Sequence, residues 1–291
     1  MKILKYFFEF ICIISLFCIF KIIGLNNASN AGSILGKFIG PLFRSKKIIK
    51  KNIKTGLGEI DQKKESEIIS NMWSNIGRTF AEYIFLKDFR FNKTNFNHMK
   101  INGAHYLEEI KKNNEQAIFY SGHFANFELM AMELDKSGIK CAAIYRPLNN
   151  FFLNPLMEYL RMKYICPNQI RKGRMGTREI IRKVKDSYSV ALMVDQRVSE
   201  GPRVPFFNMP AHTTTIPAQL ALKYDCKLVP ISLKRKQGPN FEMTVHEPYK
   251  INKTGNDEKD TKNITIKING IIEKMVLNNP EQWIWSHNRW K

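Results

Sequence analysis

The apolar run Ala117 to Tyr120 stops at Ser121-Gly122-His123, and a helical pattern begins within Phe124-Ala125-Asn126-Phe127-Glu128. A buried strand that turns directly into an apolar helix needs a sheet covered by helices, so this junction constrains the whole chain. It also constrains two polar side chains. On a regular helix the five steps from His123 to Glu128 rotate by roughly 500°, which points them away from each other. They converge only if His123 sits on the turn and Glu128 in the early helix. Gly122 relaxes the backbone there, and a helix N-terminus offers unpaired N–H groups. In that arrangement Glu128 accepts a hydrogen bond from one imidazole nitrogen and fixes the tautomer. The other nitrogen is then a general base for a hydroxyl. The plainer alternative is a surface His–Glu pair or a satisfied core histidine; the strand, glycine, histidine and apolar helix in sequence favour the dyad.

The same pattern recurs downstream. Cys141 to Tyr145 reads as a buried strand ending in Arg146-Pro147, where an arginine before a stiff turn can clamp an anion. Ser189 to Val194 reads as another, ending in Asp195-Gln196. Strands about Lys227 to Leu233 and Phe241 to Val245 follow, with helices over about 155–163, 213–224 and 260–277 between and after them. The order predicts an α/β fold: a mostly parallel central sheet flanked by helices on both faces. Ligands in such sheets sit outside the strands' carboxyl ends. His123, Arg146 and Asp195 each follow a different strand's carboxyl end. Residues 62–86 form an earlier helix by three- and four-residue spacing, with Arg78 and Glu82 in it. A polar stretch, 167–175, carries Arg171, Lys172 and Arg174.

Residues Ile3 to Leu25 are mostly apolar, but the unbroken core Phe10 to Phe20 is shorter than the roughly 20 residues of a full span. A short or partly inserted anchor, a secretory signal with Ser29-Asn30-Ala31 as its cleavage site, and a buried core helix all fit. The anchor is favoured, because the rest of the chain reads as cytosol-facing chemistry. The expected division is an anchor over 1–25 and a catalytic domain over 26–291. Lysines at 46, 47, 50 and 51 suit an anionic membrane face. A formal charge of +20 points to acidic partners. Lysine is spread over the whole chain, with no module that interleaves basic and aromatic residues on one element, so nucleic acid is not expected. Five scattered cysteines with no C-x-x-C argue against a disulfide framework or zinc site and suit a reducing compartment.

Gly122-His123-Phe124-Ala125-Asn126-Phe127-Glu128 resembles the G-H-F-G-N-W-E block of the lipid A biosynthesis late acyltransferases. Tyr145-Arg146-Pro147 with Asn149-Asn150 resembles their second block. Asp195-Gln196, then Gly201-Pro202 and Val204-Pro205-Phe206-Phe207, resembles the third. The tail Pro280 to Lys291 is similar to their P-E-Q-Y-x-W-x-H-R-R-[FW]-K ending, and Trp73, Gly77-Arg78 and Glu82 match a further block. Ala125, Phe127 and Asn288 depart from the usual glycine, tryptophan and basic residue. The resemblance implies transfer of a lauroyl- or myristoyl-type acyl chain from acyl carrier protein to a hydroxyl of a lipid A precursor. It implies the cytoplasmic face of a bacterial inner membrane, a His123/Glu128 dyad, and substrate contacts from Arg146, Arg174, Asp195, Gln196 and Arg78. No metal or cofactor is expected, because a thioester is already activated. A glycerophospholipid or other lipid acyltransferase of the same superfamily is the alternative; those usually carry Asp where this chain has Glu128.

Overall fold

A computed structural model describes residues 2–91, 98–251 and 253–291. Four helices come first: α1 (Lys2–Ile23), α2 (Leu25–Phe43), α3 (Lys46–Leu57) and α4 (Gln62–Glu82), followed by the short α5 (Leu86–Phe91). Strands and helices then alternate: β1 (Met99–Asn102), α6 (Ala104–Lys112), β2 (Ala117–Ser121), α7 (Glu128–Lys136), β3 (Cys141–Tyr145) and α8 (Asn154–Leu160). After a π-helical turn, Arg161–Ile165, come β4 (Gln169–Arg171), α9 (Arg174–Lys185) and β5 (Ser189–Met193). A two-stranded ribbon, β6 (Arg203–Phe206) with β7 (Met209–His212), precedes α10 (Ile216–Tyr224), β8 (Lys227–Arg235), β9 (Phe241–Val245) and α11 (Asp257–Asn278).

Seven strands form the central sheet in the order β1-β9-β8-β2-β5-β3-β4. Every neighbouring pair is parallel except β8 and β9. β2 is buried at all five positions, as a central strand covered on both faces must be. One core packs around Phe119, Val229 and Met243, and the other around Ile118, Tyr120 and Leu228. Successive residues of β2 thus feed opposite layers, so the expected α/β architecture is the observed one. β1, β4 and the β6–β7 ribbon were not anticipated.

The register of β2 against β5 sets the site. Ser121 faces Met193, and the Val194 N–H donates to the Ser121 carbonyl at 2.9 Å. Two residues further along both strands, His123 comes level with Asp195.

α2 does not break at Gly40-Pro41; it continues to Phe43 with Pro41 inside. Its Gly32, Gly36 and Gly40 face α4. A Cβ at Gly32 would lie 2.5 Å from the Gly77 carbonyl oxygen, and one at Gly36 would lie 2.2 Å from that of Trp73. Only glycine lets the two backbones approach so closely. The crossing locks α2 onto the domain.

Candidate active site

Glu128 is the first residue of α7, and His123 lies on the turn between β2 and α7, as expected. That turn is tightly held. The Ala125 carbonyl accepts from Asn75 Nδ2 at 3.1 Å and Thr79 Oγ1 at 3.0 Å, and the Ala125 N–H donates to the Gln282 carbonyl at 3.3 Å. Ala125 has φ of 48°, the left-handed region, where glycine is the usual residue of the resembling block. Asn126 Nδ2 donates to Glu82 Oε2 at 3.0 Å. Glu82 is fully buried and forms a two-pronged ion pair with the buried Arg235 of β8. Arg235 also donates to Asn75 at 2.8 Å. One buried charge pair therefore ties α4, β8 and the His123 turn together.

The imidazole partner is Asp195. His123 Nδ1 lies 2.6 Å from Asp195 Oδ1, and the His123 backbone N–H donates to Oδ2 at 2.8 Å. Trp283 Nε1 donates to the same Oδ2 at 2.8 Å. Gly122 makes room, since a Cβ there would sit 2.6 Å from the Phe124 ring and 3.1 Å from Asp195 Oδ2. Burial opposes a charge on Asp195, but the imidazole beside it and these three donors override burial and hold the carboxyl down at about 2. An ionised Asp195 is an acceptor only, so Nδ1 carries a proton, and in the neutral imidazole the lone pair is then on Nε2. Nε2 faces the Gln196 side-chain amide at 3.3 Å.

The bond expected from Glu128 to the imidazole is thus made by Asp195 instead. The physical reason is register: parallel pairing of β2 with β5 places Asp195 beside the turn, while Glu128 already has a stronger partner. Both Glu128 oxygens accept from Arg161 on the π-helical turn, with Nε at 3.1 and 3.3 Å and Nη2 closer still. Tyr83 Oη adds a longer contact at 3.4 Å. Burial works against the charge of Arg161, but Glu128 outweighs it and leaves the guanidinium more basic than an ordinary arginine. Nη1 of Arg161 is buried without a hydrogen-bond partner among the described residues.

His123, Glu128 and Arg161 line one cavity of about 450 Å³, within the range of small-molecule sites. Part of its lining is apolar, including Met130, Ala131, Ile165, Ala191 and Leu192. Three cations also line it: Arg44, Arg146 and Lys172. Burial lowers the Lys172 ammonium, and the neighbouring Arg146 lowers it further. Two cations held against each other at a cavity wall are suited to an anion. His287 also lines the site. Its Nε2 accepts from the Arg197 N–H at 3.0 Å, and burial pushes its pKa down to about 4, so it stays neutral.

Of the residues singled out in the sequence, His123, Glu128, Arg146 and Gln196 line this cavity, and Asp195 supports it from behind. Arg174 begins α9, exposed and outside the lining. Arg78 turns to α2, donating to Ser29 at 3.0 Å and Asn30 at 2.9 Å, and it too is outside. Sequence reasoning missed Arg161 and the role of Trp283. Arg161 stands in an unremarkable helical run. Trp283 carries no signal in the sequence beyond its place in the tail Pro280 to Lys291.

The family model for bacterial lipid A biosynthesis acyltransferases matches residues 1–291. The chain belongs to this family. It is 24% identical over 255 residues to a lipid A biosynthesis acyltransferase of Haemophilus influenzae, covering 84% of this chain and 76% of the relative. It is 23% identical over 259 residues to the lipid A biosynthesis lauroyltransferase of Escherichia coli, covering 85% and 79%. It is also 23% identical over 271 residues to the Escherichia coli palmitoleoyltransferase, covering 89% and 83%. The protein is accordingly a lipid A acyltransferase, and the cavity with His123 at its edge is the candidate active site of this acyltransferase. Among the described residues, one helix, Lys2–Ile23, is long and apolar enough to cross a membrane, which is consistent with membrane association.

Proposed function

We propose that this enzyme moves a fatty acyl group from acyl carrier protein to a hydroxyl of a lipid A precursor, with His123 as the general base. The observation that carries the reading is the His123–Asp195 pair at a cavity lined by both apolar side chains and cations; with Nδ1 committed to Asp195, the neutral imidazole offers Nε2 as the base. Nε2 takes the proton of the acceptor hydroxyl as that oxygen attacks the thioester carbonyl. The resulting imidazolium is stabilised by Asp195. Collapse of the tetrahedral intermediate breaks the C–S bond, and the imidazolium returns its proton to the leaving thiolate.

Glu128 belongs to the same machinery in this reading. Its carboxylate holds Arg161, whose free Nη1 can donate to the oxygen that becomes the oxyanion. The apolar part of the lining accommodates the acyl chain. Arg146 and Lys172, which line the cavity, receive an acceptor phosphate; Arg174 and Arg78, the other arginines expected to contact substrate, lie outside that lining. Carrier proteins are acidic, and a formal charge of +20 favours their approach. Residues 1–25 act as the membrane anchor and 26–291 as the catalytic domain, at the cytoplasmic face of the inner membrane, where a cytosolic carrier can reach it.

The test is mass spectrometry of products from purified enzyme given carrier-linked acyl chains of several lengths and a tetra-acylated lipid A precursor. One added acyl chain on the acceptor, lost in His123→Ala, is the expected result. Acylation of glycerophospholipid but not of the lipid A precursor would overturn the acceptor assignment. Full turnover by a folded His123→Ala protein would overturn the mechanism.

A further inference from the structure

α1 is long enough to span a bilayer, yet it is docked along its length. Near its start, the Tyr6 carbonyl accepts from Asn150 Nδ2 at 2.8 Å, and the Tyr6 and Phe7 rings pack on Phe151 and Phe152. Further on, Phe17 packs on Phe80 of α4. Near its end, Lys21 Nζ pairs with Asp88 of α5 at 2.9 Å. From Tyr6 to Lys21 is about 22 Å of helix, set against a hydrocarbon core of roughly 30 Å. A helix that crossed the membrane could not keep all these contacts unless the enzyme domain crossed with it.

The open sides of α1 and α2 are apolar. On α1, Leu4 is 75% exposed, Phe8 69% and Ile22 84%. On α2, locked to α4 by its glycine stripe, the opposite side leaves Phe38 77% and Leu42 82% exposed. Exposure on this scale marks an interaction surface. Exposed cations accompany it: Lys2, Lys5, Lys37, Arg44, Lys46 and Lys47.

The two helices also lead to the same place. α2 ends at Phe43, and the next residue, Arg44, lines the cavity. The start of α1 rests on residues 150–152, directly after Leu148 and Asn149, which line the cavity too. The bend between them, at Gly24, lies at the far end of both helices. Two apolar helices with a basic accompaniment and both free ends at the mouth match an anionic lipid surface in shape and charge.

We infer that α1 and α2 lie together in the plane of an anionic bilayer surface and hold the mouth of the catalytic cavity against it, so that α1 does not span. The lipid acceptor then reaches His123 sideways from its own leaflet; that consequence alone rests on the acyl-transfer reading.

Sidedness tests the inference on the full chain in its membrane. In a Cys12→Ser/Cys18→Ser background, Lys2→Cys and Ile22→Cys are exposed in turn to a membrane-impermeant maleimide, in sealed vesicles of each orientation. Both positions should react from the same side. Reaction from opposite sides means a span and overturns the inference. In the second measurement, purified full chain partitions onto phosphatidylglycerol–phosphatidylethanolamine vesicles. Phe38→Ser/Leu42→Ser should lower that partitioning by about tenfold or more; unchanged partitioning would leave α1 as the sole anchor and overturn it. A high yield of Phe38→Cys cross-links between copies would place a second chain on this face, with the same consequence. None of these readouts needs turnover, so they test the surface even if the donor or acceptor assignment fails.

Discussion

Replacing Asp195 with Asn keeps size and shape but reverses one hydrogen bond. Asp195 accepts three: from the His123 ring at Nδ1, the His123 backbone N–H, and Trp283 Nε1. The last two meet on one oxygen, Oδ2, and both are fixed donors. An asparagine keeps those two by placing its carbonyl oxygen there, which points its amide group at His123 Nδ1. The ring nitrogen must then accept, and the imidazole proton moves to Nε2. The base is lost although every heavy atom remains in place. The expected fall in kcat is on the order of 10³- to 10⁴-fold, the scale of a wrong-tautomer histidine. Flipping the amide instead would set its N–H₂ against two donors and leave them buried without an acceptor, at about 1–3 kcal/mol each, so it offers no escape. The assay is single-turnover acyl transfer from carrier-linked substrate, alongside thermal unfolding to confirm a folded variant. The paired control is Glu128→Gln, which leaves the tautomer alone and weakens only the hold on Arg161. If Asp195→Asn keeps wild-type kcat, Asp195 does not set the tautomer, and the reasoning from β2–β5 register to catalysis is refuted.

His123→Ala should lower turnover about 10²- to 10⁴-fold, and adding Asp195→Asn to it should cost little more, since the two act as a unit; multiplied losses in the double variant would contradict this. Arg146→Lys and Lys172→Ala should weaken a phosphorylated acceptor more than a dephosphorylated one, whereas Arg174→Lys should discriminate between them far less, as KM values for the two acceptors will show. Arg235→Met leaves the buried Glu82 unpaired and should destabilise the fold by about 3–5 kcal/mol, readable in denaturant unfolding. His287 has a folded pKa of about 4 against an ordinary 6.5; the unfolded chain therefore binds the extra proton between those values, and stability should fall as pH drops from about 6.5 to about 4. In His287→Gln that slope should flatten, and an unchanged slope would assign it to other groups.

The strands that carry the site were legible because each is a short apolar run closed by a polar residue: Ala117–Tyr120 before His123, Cys141–Tyr145 before Arg146, Ser189–Val194 before Asp195. β1 and β4 were not, being only four and three residues long and carrying Lys100, Asn102, Gln169 and Arg171. The α2–α4 crossing was hidden for a different reason. Gly32, Gly36 and Gly40 read as helix-weakening residues until Gly77 is found opposite them.

The pairing of His123 with a carboxylate shows where local reasoning ends. From the chain alone, Glu128 is five residues away and Asp195 is 72, so proximity in sequence favours Glu128. The sheet reverses that order, because β2 and β5 are neighbours while β3 and β4 lie beyond them. A strand order is decided by which crossover connections pack well, and no residue near His123 encodes it. Yet the consequence is checkable from residue chemistry. An aspartate buried at 3% exposure must find donors or lose its charge. Asp195 finds them in a glycine-flanked turn, an imidazole and an indole brought from the end of the chain. Glu128 satisfies the same demand with Arg161, which stands on a π-helical turn beyond the next strand. Two carboxylates serve one cavity, Glu128 in its lining and Asp195 behind it, each matched to a cation or imidazole contributed by a different element. The site therefore assembles only when the β2–β5 register, the tail and the π-helical turn are all in place, and mutations at Trp283 or in 161–165 should behave as site mutations although each acts through a carboxylate, Asp195 or Glu128.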